Sequence, residues 1–171
     1  MNLCLVFLFG WLVIGNFKYF GSIRFRYEFS DNFNQKYYGV SDDGFLLQRV
    51  RFGFYYDLGN HFGFSFGIQD SEVYDIALTD KNFKPFFLEG LVHSPNKDRF
   101  ELYNTYIILK NIFNKDFFIK LGRQIIAYGD KRCFGPGEWG NTGRWVWDAI
   151  KIHYGFRKNF VEAFLGATLG S

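Results

Sequence analysis

The sequence is short of cysteine: two in 171 residues cannot staple a disulfide framework. Long apolar runs are missing as well. Beyond the N-terminus no stretch reaches about 18 uncharged apolar residues, which excludes a multi-span helical membrane protein. Strong charge bias is also absent, and a net charge of +3 does not by itself argue for a nucleic-acid partner. What the chain has in excess is aromatic: 24 Phe, 11 Tyr and 4 Trp, 23% of all residues. That much ring surface excludes a solvated, disordered tail. Charged residues still make up 22%, which holds the mean hydropathy at −0.11. The length suits one domain with a real core. Two classes remain, a globular β protein or a membrane β-barrel.

Residues 1–16, MNLCLVFLFGWLVIGN, carry no charge. The apolar core Leu3 to Ile14 has the length of a signal-peptide h-region and is short for a membrane span. Val13-Ile14-Gly15 offers a weak small-residue cleavage site, and a basic n-region is missing. The segment is expected to be a signal peptide, leaving residues 17–171 as the barrel domain. The alternative is a first strand or core segment. Cys4 would leave with the leader, Cys133 would remain alone, and no disulfide could form within the mature chain.

From Gly21 the chain alternates with period two. Ser22, Arg24, Arg26 and Glu28 interleave with Ile23, Phe25, Tyr27 and Phe29, a strand with one wet and one greasy face. Between Phe45 and Asp57, Leu46, Val50, Phe52, Phe54 and Tyr56 oppose Arg49, Arg51, Gly53 and Asp57, with Gln48 interrupting the apolar set. Phe62, Phe64, Phe66 and Ile68 then alternate with Gly63, Ser65, Gly67 and Gln69. A fourth run, Phe100 to Lys110, is apolar on both faces and its facing is open. A fifth, Phe117 to Tyr128, a sixth, Trp145 to Tyr154, and a seventh from Phe160 onward complete the set.

The wet face separates soluble from membrane. A soluble sandwich also alternates, but its outer face tends to be rich in Thr, Lys and Glu. Here small Gly and Ser stand beside long Arg and Lys, which suits a watery lumen. Rows of Phe and Tyr suit lipid, with tyrosines at strand ends forming an interfacial girdle. Connections alternate long (Ser30 to Gly44, Asp70 to Arg99, Gly129 to Arg144) and short (Leu58 to His61, Asn111 to Asp116, Gly155 to Asn159). Short periplasmic turns and long external loops are the signature of outer-membrane barrels. The expected fold class is therefore all-β, an antiparallel up-and-down transmembrane β-barrel. Seven strands is odd, whereas bacterial single-chain barrels have even numbers from about 8 upward, and the alternation is still running at Val161 to Thr168. The expectation is a fragment, the N-terminal portion of a larger barrel. The alternative is a small barrel in which residues 1–16 supply the missing strand.

The stretch Leu121-Gly122-Arg123-Gln124-Ile125-Ile126-Ala127-Tyr128-Gly129-Asp130-Lys131-Arg132 is followed by Glu138-Trp139-Gly140-Asn141-Thr142-Gly143-Arg144 and then by Asp148-Ala149. It resembles the alginate-export family of outer-membrane β-barrels, whose repeats run GRQ…YGD.R…W.NTGR…D. The likeness is close from Leu121 to Asp148 and looser from Gly21 onward. Two departures stand out: Trp145-Val146-Trp147 precedes Asp148 where the family usually has Phe, and the loop carries Cys133 and Pro136. The resemblance implies a monomeric channel in the bacterial outer membrane, surrounded by lipid. It would pass an anionic polysaccharide, alginate-like, or another solute through a charged pore.

A polyuronate needs fixed cations along its path, and rings of Arg or Lys serve anion pores generally. Arg also suits bidentate contact with carboxylate. Arg24 and Arg26 share the wet face of the first run with Arg49 and Arg51 on the second, one basic ladder across neighbouring strands. Lys120 and Lys151 share that parity further on. The plainer alternative is that the lumenal arginines pair with Glu28, Asp57 and Glu101 to support the wall. Arg123 has lipid-facing parity with Leu121, so either a bulge follows Gly122 or Arg123 sits at headgroup level. Asp130, Arg132 and Arg144, with Trp139 and the motif glycines, are expected to fix the external loop by ion pairs and tight turns.

His61, His93 and His153 are scattered, and no metal-ligand spacing, catalytic triad order or phosphate loop is present, so no cofactor, metal or enzyme activity is expected. The reading is a porin-like channel for passive passage. The alternatives are a small structural or adhesive outer-membrane barrel whose external loops bind a partner, and a soluble β-barrel or sandwich with a ligand cavity.

Overall fold

The computed structural model describes residues 3–30, 43–75, 97–129 and 146–168. The alternating stretches form strands: β1 Leu3–Ile14, β2 Phe17–Ser30, β3 Asp43–Leu58, β4 Phe62–Tyr74, β5 Asp98–Leu102, β6 Tyr106–Leu109, β7 Phe117–Gln124, β8 Trp147–Phe156 and β9 Asn159–Thr168. They make one antiparallel up-and-down sheet in the order β1-β2-β3-β4-β6-β7-β8-β9, with β5 also on β4. Among the described residues no ladder joins β9 to β1. The sheet is open, the form that a portion of a barrel takes.

Several strand limits differ from the expected ones, each for a physical reason. β2 begins at Phe17 rather than Gly21, because Phe20 faces the polar side, opposite Gly53, and hides the alternation. The fourth run is broken in two. β5 and β6 both pair with β4, and Tyr103 to Thr105 between them leave the ladder, with Asn104 at φ 56. This settles the facing: Leu102 stands opposite Ile68, and Ile107 opposite Phe64, on the greasy side. β7 stops at Gln124, short of Tyr128. Leu3–Ile14, the expected leader, lies along β2 from Leu3 opposite Tyr27 to Ile14 opposite Phe17.

Burial follows the alternation with its usual polarity reversed. On β4, Gly63, Ser65, Gly67, Gln69 and Ser71 are buried, while Phe62, Phe64, Phe66 and Ile68 stay half-exposed. Phe52 is 55% exposed and Leu165 81%, whereas Arg24, Arg26 and Arg49 are each no more than 8% exposed. Soluble domains seldom bury charge and leave large apolar groups bare. The buried side is called the inner face below.

Outward residues of β3 are all apolar from Val50 to Leu58. At ~3.3 Å per residue and a tilt of ~40°, those eight steps span about 20 Å across a membrane, near the ~25 Å apolar band of such barrels. On β4 the outward apolar run ends at Asp70, opposite Val50, and Gln48 and Glu72, opposite each other, follow it. Just beyond them Tyr27 and Tyr74 both flank Leu46, a tyrosine level at the band's edge. The short turns after β1, β3, β6 and β8 gather at one end of the sheet, the turn end. The strand ends that lead into the long connections lie at the other, the loop end.

Candidate functional site

The inner face is built from rows of residues that the register sets side by side. One row places Arg24 opposite Arg49, and Arg49 opposite Ser71. The next places Ser22 opposite Arg51, Arg51 opposite Gln69, and Gln69 opposite Glu101. Arg26 follows, opposite Leu47. The four arginines are thus brought together near the loop end, as the alternation anticipated. Arg26 Nε sits 2.6 Å from Glu28 Oε1. Arg51 donates to the Gln69 side-chain oxygen and stacks 4.0 Å from the centre of the Tyr103 ring. Gln69 Nε2 in turn donates to Glu101 Oε1 at 2.5 Å and to Ser71 Oγ at 3.2 Å. Of the three acids named as wall supports, Glu28 meets an arginine directly and Glu101 does so through Gln69. Asp57 instead takes Lys110 at 2.7 Å.

Lys120 and Lys151 stand opposite each other on β7 and β8, toward the turn end. Lys120 Nζ lies 3.6 Å from the Tyr106 ring centre. Lys151 Nζ lies 2.7 Å from Glu162 Oε2, and His153 Nδ1 lies 2.9 Å from Glu162 Oε1. Glu162 was missed as a site residue. Its signal was its own parity, wet between Val161 and Ala163. Inner-face arginines therefore cluster at the loop end, and the inner-face lysines Lys18, Lys110, Lys120 and Lys151 at the turn end. An ammonium is a point charge that one carboxylate or ring can hold. A guanidinium fork satisfies several neighbours at once, which crowded rows require.

The Gly-Arg-Gln motif proves to be joinery. Gly122 has φ +123°, and a Cβ there would lie 2.7 Å from the Thr105 carbonyl oxygen. Arg123 keeps its outward parity, because the β7–β8 register runs from Phe117 opposite Tyr154 to Gln124 opposite Trp147 without a shift. No bulge in that ladder redirects it. Its partner is Asp148, directly opposite: Nε donates to Oδ1 at 2.9 Å and Nη2 to Oδ2 at 2.7 Å. Gln124 turns inward, fully buried, and donates to the Ala149 carbonyl at 2.9 Å. Tyr128 lies 5.4 Å from Lys151 Nζ. Gly129 takes φ +59°. Asp130, Arg132, Trp139, Asn141, Thr142, Gly143 and Arg144 lie outside the described residues, as do Cys133 and His93.

An open antiparallel wall with cations on a buried inner face and bare phenylalanines outside defines a class, that of transmembrane β-barrels. Within it the family model for alginate export matches residues 17–167, from the first residue of β2 almost to the end of β9. The chain belongs to the alginate export family. That family is one of outer-membrane polysaccharide export channels, a transport family rather than an enzyme family. No curated protein and no solved structure matches the chain.

Proposed function

We propose that this chain forms wall of a monomeric, porin-like channel in the bacterial outer membrane, through which an alginate-like anionic polysaccharide or smaller anionic solutes pass passively. Arg24, Arg26, Arg49 and Arg51 line the path at the loop end, and Lys120 and Lys151 at the turn end. The observation that carries the reading is the cluster of four arginines on the face away from the phenylalanines, in adjacent rows. Like charges set so closely make this stretch of wall strongly positive, and a passing anion is attracted to it. Residues 1–16 serve as the export leader, consistent with a family match that begins at Phe17. The test is reversal potential in a salt gradient across a planar bilayer. Replacing the four arginines by glutamine should lower the preference for anions and leave conductance in place. An unchanged reversal potential would make these arginines wall supports only.

A further inference from the structure

Two rings on the inner face have no part in the charge argument. Phe20 on β2 leans across two strands: a Cβ at Gly53 on β3 would overlap its ring tip, and one at Gly67 on β4 would sit 3.0 Å from it. Tyr55 on β3 leans the same way, since a Cβ at Gly63 would overlap its hydroxyl and lie 2.8 Å from Cζ. Each ring tip thus lies over glycine, where no side chain lifts it off the wall. The two are diagonal neighbours, because Tyr55 stands opposite Lys18 and Phe20 opposite Gly53, a separation of about 7–8 Å.

Cations bracket the pair. Lys18 Nζ and Lys110 Nζ each lie over the Tyr55 ring, 5.9 Å from its centre. Beyond Phe20, one row on, comes Arg51, followed by Arg24 and Arg49. Neither Phe20 nor Tyr55 is buried. Among the other inner rings, Tyr103 is 8% exposed, and Lys120 Nζ lies 3.6 Å from the Tyr106 ring centre.

We propose that Phe20 and Tyr55 form a pyranose-stacking platform, a wall subsite that takes one uronate unit with its C–H face on the rings and its carboxylate on Lys18, Lys110 or Arg51. Aromatic faces carry negative potential, and the axial C–H hydrogens of a pyranose are weakly positive, so stacking is favourable and indifferent to linkage. The ring contact holds the sugar while the flanking cation holds its charge, and neither grips hard enough to trap a polymer. The platform deepens the channel reading and rests on it for its biological use, but its binding can be measured separately.

The full chain folded in detergent micelles is titrated by calorimetry with a mannuronate hexamer and, separately, with neutral cellohexaose. Tyr55→Leu and Phe20→Leu should each weaken binding of both sugars roughly tenfold, with the reversal potential unchanged because no charge is removed. Tyr55→Phe, which keeps the ring, should keep the affinity. The four-arginine variant should weaken the uronate alone. If Tyr55→Leu does not fold, Gly63→Ala displaces the same ring tip and should weaken both sugars. Unchanged affinity for both sugars in the leucine variants overturns the proposal, as does a parent chain that binds neither. Ring-dependent binding by a chain that carries no current supports the platform and removes the channel reading.

Discussion

The pair Arg123 and Asp148 permits a sharp energetic test, because both ends are on the outer face and both hydrogen bonds are defined. Each is charge-assisted, a kind worth about 1.5–3 kcal/mol when sheltered from water. The Asp148 side chain is 42% exposed and that of Arg123 19%, so solvent screens much of this. The two bonds together should therefore couple by about 1–2 kcal/mol, above an ordinary surface pair and below a dry one. Arg123→Leu takes from the Asp148 carboxylate its partner near lipid, and Asp148→Leu leaves the guanidinium with the Leu102 carbonyl, to which Nη1 donates at 3.3 Å. Each should cost about 1–3 kcal/mol, since the penalty for a bare charge falls from the bilayer centre toward its edge. The double variant should cost less than the sum by the coupling. Reversible urea unfolding in lipid vesicles, followed by tryptophan fluorescence, measures all four corners of the cycle. Additivity to within about 0.5 kcal/mol would show that the ion pair is a bystander and that the reasoning from its geometry is wrong.

Other consequences can be checked alongside. Phe64→Arg on the outer face should destabilise by about 2–4 kcal/mol if the residue is at mid-bilayer, whereas Ser65→Ala beside it should cost about 1 kcal/mol for the bond to the Asn104 carbonyl; equal losses would erase the distinction between faces. Gly122→Ala forces a side chain into positive φ against the Thr105 carbonyl, and a loss of about 1–3 kcal/mol should appear as a lower unfolding temperature. Lys110, in the turn after β6, is held above the ordinary lysine range: burial pulls it down, but its hydrogen bonds to Asp57 and Tyr55 outweigh that. A raised lysine stabilises fully below its unfolded value and loses that contribution as pH climbs through the folded one, so urea midpoints should fall as pH rises above the ordinary lysine value of about 10.4. Asp57→Asn should flatten that part of the fall, and a parallel curve would refute the assignment. Mass spectrometry of the chain recovered from outer membranes should find its N-terminus at Phe17; an intact Met1 would keep Leu3–Ile14 in the sheet as β1.

Strand positions were legible wherever the lipid-facing set stayed unbroken, as in Phe62 to Ile68, because alternation reports burial on two faces directly. The legibility failed where an apolar residue turned inward. Phe20 reads as a break in the pattern, yet it lies over glycines that only the neighbouring strands supply. The interruption at Tyr103 to Thr105 was hidden for a related reason: it is fixed by partners far off in sequence, with Tyr103 N–H donating to the Gly67 carbonyl and Thr105 Oγ1 to the same oxygen. Parity assigned the four arginines to a face without alignment. It could not say which acid each would meet, so Asp57 was assigned to arginines and meets Lys110. For Arg123 the alternation left a bulge or a headgroup position open; its facing and its partner both depended on the β7–β8 register, which sequence alone does not set.

With β5 and β6 counted as one broken strand on β4, each strand pairs with the strands beside it in the chain. Such a sheet is modular in circumference. A duplicated hairpin could enter at any short turn, keep inside and outside in step, and leave every existing ladder intact except the one it separates. Pore width in this architecture could therefore change by whole hairpins through single genetic events, while the residues that meet the solute remain where their own neighbours hold them.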